Sequence, residues 1–188
     1  MKTSKIFGLF SLLFGLLLFS ACDELSGTIN ITDIQIEIPK ITIPELPAPS
    51  ALRSTQGDYI GFESESVTVE ITDGMFKELQ QYLGSLNGVT VQSAKLKAET
   101  TNNAAGNVRN LKITSKALGE SFEIASYDIG KDYSDPKLLA FVQKAFSKLI
   151  TKVPVDFAVS GETNVAPGTE MIYTLIINSA FEVSAKVK

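Results

Sequence analysis

The C-terminal part of the sequence carries its strongest structural constraint, an alternation of apolar and polar side chains that keeps one parity. The odd positions hold Met171, Tyr173, Leu175, Ile177, Phe181, Val183, Ala185 and Val187. Successive side chains of a β-strand point to opposite faces, so this period of two predicts a strand with one buried face. The pattern fits either one long strand or two consecutive strands bent at Asn178-Ser179.

A shorter alternation precedes this strand. Its apolar positions are Val153, Val155, Phe157 and Val159. The segment from Gly161 to Gly168 then contains Pro167-Gly168, which is typical of a turn and predicts a hairpin between the two strands. The glycines of this segment do not make it a phosphate-binding loop, because the Lys and Ser/Thr of that motif are missing.

The N-terminal isoleucines also alternate, but their parity changes twice. They are Ile29 and Ile31, then Ile34, Ile36 and Ile38, then Ile41 and Ile43. A strand keeps a period of two, so each change of parity predicts a bulge or a bend. Pro39 and Pro44 favour an edge strand, and the Pro- and Ser-rich run up to Gly57 is typical of an extended spacer. We therefore predict a tether over residues 22–57 and a globular domain over 58–188.

Two segments inside the domain change to helical spacing. The first follows Asp73, carries apolar residues from Met75 to Leu86, and is expected to end at Gly88. The second begins at Asp135-Pro136, a typical cap and first turn. Between them, Thr101–Asn107 resembles a hairpin loop after which the chain pairs back. The sequence predicts an α+β fold, mainly an antiparallel β sandwich or half-open barrel with two amphipathic helices packed on it.

The first 22 residues have the layout of an export signal. Lys2 and Lys5 precede an apolar stretch, which ends in Phe19-Ser20-Ala21-Cys22. This segment resembles a bacterial lipoprotein signal peptide, with Phe19 where Leu is usual. The resemblance implies removal of residues 1–21, diacylation of Cys22 and attachment to the membrane. An ordinary signal peptide with an incidental Cys, or a permanent membrane-spanning helix, is the weaker interpretation, since such a helix needs about 20 apolar residues.

The residues after Cys22 bear on location. Asp23 and Glu24 follow it directly, and two conventions of lipoprotein sorting resemble this pattern: retention at the inner membrane, and export to the cell surface. We expect the lipid-anchored protein in the cell envelope, at the outer membrane and exposed on the surface.

Composition excludes several classes of function. The chain has no His, so the usual general base, the Ser-His-Asp triad and the commonest transition-metal ligand are absent. Its 17 Lys and Arg against 21 Asp and Glu leave a net charge of −4, which argues against nucleic-acid binding. We predict a protein that is not an enzyme and has no cofactor or bound metal.

The apolar faces of the two predicted helices supply candidate residues for a ligand site. The aromatic side chains of Phe76, Tyr82, Phe141 and Phe146 could line a cavity for an apolar, lipid-like ligand between helix and sheet. The alternative is ordinary core packing, which is the default for a helix stripe that faces a sheet.

Acidic residues form two further candidate groups. Asp128, Asp132 and Asp135 lie close in sequence around Gly130 and could bind calcium, although the spacing departs from the helix-loop-helix pattern and also suits a solvated turn. Glu63, Glu65 and Glu70 could supply a carboxylate pair for glycoside hydrolysis, but exposed strand faces normally carry such charges.

These observations predict a membrane-anchored extracytoplasmic lipoprotein with a non-enzymatic binding or envelope-structural role. Its partners would be the membrane, through acylated Cys22, and an envelope protein. The alternative is a carrier or sensor of an apolar ligand.

Overall fold

Nine strands and two helices make up the described part of the chain, residues 24–45 and 59–186 of a computed structural model. In chain order they are β1 (Glu24–Thr42), β2 (Ile60–Glu63), β3 (Val67–Val69), a 3₁₀ helix (Gly74–Tyr82), β4 (Leu86–Thr100), β5 (Asn107–Ser115), β6 (Glu120–Asp128), β7 (Asp132–Tyr133), α1 (Pro136–Leu149), β8 (Val155–Thr163) and β9 (Glu170–Lys186). The predicted α+β fold with antiparallel strands and two helices is confirmed.

The strands form two open sheets packed on each other. The long sheet has the order β1-β9-β4-β7, and the short sheet has the order β2-β8-β5-β6, with β3 also paired to β8. Apolar side chains from both sheets and both helices form a single buried cluster. Phe62 of β2 stacks on Tyr173 of β9 with ring centroids 5.9 Å apart, which joins the two sheets. The architecture is therefore a sandwich and not a closed barrel.

Strand β9 lies in the middle of the long sheet and is one continuous strand. It pairs with β1 on one side and with β4 on the other. Its odd positions from Met171 to Phe181 are all buried, which confirms the predicted buried face. β9 continues through Asn178-Ser179, where a bend was the alternative. The irregularities at this level lie in the neighbouring strands: β1 shifts register between Ile31 and Ile34, and β4 shifts between Val91 and Ser93.

Strand β1 changes register where its isoleucine parity changes. The two shifts fall between Ile31 and Ile34 and between Ile38 and Ile41. Each shift places one extra residue in β1 and returns the next isoleucine to the core. The buried isoleucines are Ile31, Ile34, Ile36, Ile38, Ile41 and Ile43. The bulges were therefore predicted correctly from parity alone.

This strand also corrects the predicted tether. β1 lies at the edge of the long sheet, as its prolines indicated, but residues 24–45 belong to the domain. Burial of the isoleucine face outweighs the local preference of Pro39 for irregular structure, since fully burying each such side chain is worth about 1.5–3 kcal/mol. The rest of the predicted spacer, residues 46–57, lies outside the described residues.

The first bulge of β1 has a specific backbone geometry. Asp33 has a φ of 55°, and its N–H donates a 2.8 Å hydrogen bond to Asn178 Oδ1 of β9. Asp tolerates this left-handed conformation better than most residues, whereas a β-branched residue does not.

We expect Asp33→Val to lower the free energy of unfolding by about 1–2 kcal/mol, because it forces a β-branched side chain into the left-handed region. Asp33→Gly is the matched control and is expected to leave stability unchanged or slightly higher. Urea unfolding of both variants measures the difference. Equal stability of the two variants would show that the bulge adopts another conformation.

The first predicted helix differs from the structure in type and length. Residues 74–82 form a 3₁₀ helix, and Leu86 and Gly88 already belong to β4. Phe76 and Leu79 are its fully buried residues, and the segment is kinked at Phe76, whose φ of −111° and ψ of 24° are not helical. Asp73 makes no side-chain cap, and its Oδ2 instead accepts from the Glu70 N–H at 2.8 Å.

Both predicted hairpins are wrong, because each loop crosses from one sheet to the other. Residues 101–106 connect β4 of the long sheet to β5 of the short sheet, and residues 164–169 connect β8 to β9. β5 pairs with β6 and β8 instead of folding back on β4. The crossing loops contact each other through the Asn107 N–H, which donates to Asn164 Oδ1 at 2.7 Å. Alternation identifies strands but does not identify their partners.

Helix α1 begins as predicted and covers an open strand edge. Asp135 Oδ1 accepts from the Lys137 N–H at 2.6 Å. The buried stripe consists of Leu138, Phe141, Val142, Ala145, Phe146 and Leu149. Gln143 accepts from the Val91 N–H at 2.7 Å and donates to the Val89 carbonyl at 2.8 Å. β7 pairs with β4 only at residues 96 and 97. The Gln143 side chain therefore bonds to backbone groups of β4 that β7 does not pair with.

Candidate functional site

The predicted lipidation site precedes the first strand. Cys22 and the other residues of the motif Phe19-Ser20-Ala21-Cys22 lie outside the described residues. β1 begins at Glu24, two positions after Cys22, and pairs with the end of β9 from its first residue. No helix within residues 24–45 and 59–186 is long and apolar enough to span a membrane.

Two of the four predicted ligand-lining residues pack against each other. Phe76 and Phe146 are both fully buried, with ring centroids 5.9 Å apart in an edge-to-face arrangement. Phe181 of β9 completes a three-ring cluster, at 6.1 Å from Phe76 and 6.3 Å from Phe146. These contacts fill the space between the 3₁₀ helix, α1 and the long sheet at this point.

The other two residues lie apart from this cluster and from each other. Phe141 packs edge-to-face on Phe157 at 6.2 Å and borders a surface groove beside β6. Tyr82 is half-buried and lines a different groove, between the start of β1 and the end of β9. The structure therefore brings together Phe76 and Phe146 but does not place all four residues around one cavity.

Several surface grooves border the described residues. One of them, of about 460 Å³, lies where the end of β1 meets β2 and is lined by Ile41, Thr42, Pro44, Gly61, Phe62 and Glu63. The groove beside Phe141 has a volume of about 430 Å³, and the ion pair between Lys144 and Glu120 stands in it at 2.8 Å. The groove beside Tyr82 has a volume of about 290 Å³ and is lined by Ser26, Gly27, Thr28, Ile29, Tyr82, Ser85, Val183 and Ser184.

The three predicted calcium ligands each have another partner. Asp128 forms an ion pair with Lys131 at 2.7 Å, and Asp132 forms one with Lys95 at 3.2 Å. Asp135 caps α1. Hydrogen bonds from Lys131 and Asn107 to Asp128, with the charge of Lys131, lower the pKa of Asp128. In the described ranges, no three acidic or Cys side chains are arranged to hold a metal ion.

The predicted glutamate group is spread along β8. Glu63 of β2 pairs with Ser160, whereas Val69, which precedes Glu70, pairs with Val155. Five residues of strand separate these partners by about 17 Å. A retaining carboxylate pair needs a separation of about 5 Å, so Glu63 and Glu70 do not form one.

Sequence analysis missed a polar cluster on the short sheet. Asn107 donates to Ser126 and Asp128 at 3.1 Å each, and it accepts from the Tyr59 hydroxyl at 3.2 Å. The Arg109 guanidinium lies 4.0 Å from the centre of the Tyr59 ring. No local pattern could indicate this cluster, because its members come from β5, β6 and the residue before β2.

The comparisons with known proteins add a single weak similarity. No protein-family model and no curated protein matches the sequence. Among solved structures, the chain is similar to a chain of Desmodium yellow mottle tymovirus, with 11% identity and a TM-score of 0.26. The match covers 87% of this chain and 84% of that chain. A TM-score this low supports no conclusion about fold or function.

Proposed function

We propose that this protein is a lipoprotein of the cell envelope, anchored in the outer membrane through acylated Cys22 and exposed on the cell surface. Its domain has a binding or envelope-structural role and is not an enzyme. The observation that carries the proposal is the motif Phe19-Ser20-Ala21-Cys22 after a basic and then apolar segment, directly before the first strand. Three acyl chains on one Cys exceed the weak, reversible membrane affinity of a single chain.

The attachment of β1 to the domain supports this role. β1 pairs with the central strand β9 from Glu24 to Thr42, and five of its isoleucines are buried. An anchor at Cys22 is therefore connected to an edge strand that pairs along its length with the central strand β9. This strand cannot separate from the sheet without exposing its apolar face. Such a connection suits a domain that is held at a membrane and bears load or presents a surface there.

We expect Cys22→Ser to abolish incorporation of labelled palmitate and to leave the full precursor unlipidated, because the acyl acceptor thiol is gone. Circular dichroism of the variant should show an unchanged strand content, since position 22 precedes β1. Ser20→Ala is the matched control, because it keeps a small residue in the motif and should still be acylated. Palmitate label on Cys22→Ser would refute the proposal.

A second candidate function is a carrier or sensor of an apolar ligand. The observation that favours it is the groove beside Tyr82, which Ile29 and Val183 also line. Native mass spectrometry of the Cys22→Ser chain, produced in a bacterial envelope, tests this function. A defined extra mass that leaves on unfolding would support a carrier, and a bare chain mass would contradict it.

A further inference from the structure

One end of the sandwich combines the start of the mature chain with exposed apolar surface. We call this end the anchor pole and define it by the start of β1, the end of β9, the turn at residues 82–85 and the turn at residues 150–154. The Ser184 N–H donates to the Ser85 carbonyl at 2.8 Å, which joins the first turn to β9. Leu83 lines a groove with Lys152 and Pro154, which joins the two turns.

Chain length limits how far this pole can be from an anchor at Cys22. Glu24 already pairs with Lys186, so only the two steps from Cys22 to Glu24 connect the anchor to the sheet. Two extended residues span at most about 7 Å. The start of β1 must therefore lie beside the headgroups of any membrane that holds the acyl chains of Cys22.

The surface of the anchor pole fits this position. Val153 is 43% exposed, and no other large apolar side chain within residues 26–45 and 59–184 is exposed to this extent. Tyr82, an aromatic residue with a polar tip, is half-buried nearby, and such residues favour membrane interfaces. Lys152 and Glu70 both line the groove that contains Leu83, so this groove carries charges of both signs.

We propose that the anchor pole lies against the lipid headgroups, with Val153 and Tyr82 at the bilayer surface and the long sheet directed away from the membrane. This inference rests on the proposed acylation of Cys22. The opposite pole, where the Gly168 N–H donates to the Ile43 carbonyl at 2.8 Å, is then the end presented to partners. β1 has 19 residues, so the two ends lie up to about 60 Å apart.

A site-specific fluorophore tests this orientation on the acylated full chain. Cys22 is the only Cys, and acylation consumes its thiol, so Val153→Cys provides one free thiol at the anchor pole. Ala166→Cys, on the exposed loop beside Ile43, is the matched control at the opposite pole. Both labelled proteins are reconstituted in vesicles of phosphatidylethanolamine and phosphatidylglycerol that contain a headgroup-level quencher lipid. We expect loss of fluorescence at position 153 and no loss at position 166.

A second variant tests the role of the short connection. A flexible Gly/Ser insert of about ten residues between Asp23 and Glu24 adds a root-mean-square span of about 18 Å and should reduce the loss at position 153. A loss that persists unchanged would overturn the role given to the short connection. Equal fluorescence at 153 and 166 in protein that floats with the vesicles would overturn the orientation alone. Failure to float would overturn the proposed acylation and this inference together.

Discussion

Phe146→Ala is expected to lower the free energy of unfolding by about 3–5 kcal/mol, the usual cost of truncating a buried Phe. Phe146 is fully buried and packs against Phe76 and Phe181, so the substitution removes two ring contacts and leaves a cavity. Urea unfolding of the Cys22→Ser chain, with and without Phe146→Ala, measures the change.

This substitution also separates core packing from a ligand cavity at the same residues. Val153→Ala is the control, and we expect it to change stability by less than about 0.5 kcal/mol because Val153 is exposed. A cost at Phe146 as small as that of the control would mean that the ring already borders empty space, as a lipid carrier requires. That result would contradict the packed three-ring cluster.

Tyr173→Phe is expected to raise the free energy of unfolding by about 1–3 kcal/mol, the cost of a buried polar group without a partner. Tyr173 is fully buried in the middle of β9, and its hydroxyl has no hydrogen-bond partner among the described residues. Phe keeps the ring and its stack on Phe62. Urea unfolding at neutral pH measures the gain.

The same variant should change how stability depends on pH. Burial raises the pKa of Tyr173 above its ordinary value of 10.0, so above pH 10 the unfolded chain loses a proton that the folded chain retains. Ionisation of this group therefore destabilises the fold increasingly as pH rises past 10. The advantage of Tyr173→Phe over the parent chain should widen by about 1.4 kcal/mol per pH unit in that range.

Tyr127→Phe is the matched control and is expected to have the opposite sign. The Tyr127 hydroxyl accepts from the Ala98 N–H of β4 at 2.9 Å and donates to the Lys131 carbonyl. Removing it leaves a buried N–H unpaired and should destabilise the chain by about 1–3 kcal/mol. Destabilisation by Tyr173→Phe as well would show that the Tyr173 hydroxyl has a partner in the folded protein.

Sequence patterns predicted the local features of this fold well. The unbroken parity from Met171 to Phe181 predicted the buried face of β9, and the parity changes after Ile31 and Ile38 located both bulges of β1. Asp135-Pro136 identified the start of α1. Each of these features depends on a few neighbouring residues, so the period of the side chains is sufficient to find it.

The candidate sites were less predictable, because they depend on contacts between distant segments. Helical spacing placed four aromatic residues on the apolar faces of the predicted helices: Phe76, Tyr82, Phe141 and Phe146. It could not show that, of these four, only Phe76 and Phe146 pack against each other. Sequence proximity grouped three aspartates, but Asp132 pairs with the distant Lys95 of β4, whereas Asp128 and Asp135 find local partners in Lys131 and the Lys137 N–H.

The sequence by itself determined where β1 bulges, which face of β9 is buried and where α1 begins, because side-chain period and helix capping are local properties. Only the tertiary structure decided that β4 and β5 lie in different sheets and that β1 packs into the same buried core as the rest of the domain. Which strands pair depends on how their whole apolar faces are buried against one another. The alternation within one segment is the same whichever strand lies beside it, so it does not identify the partner.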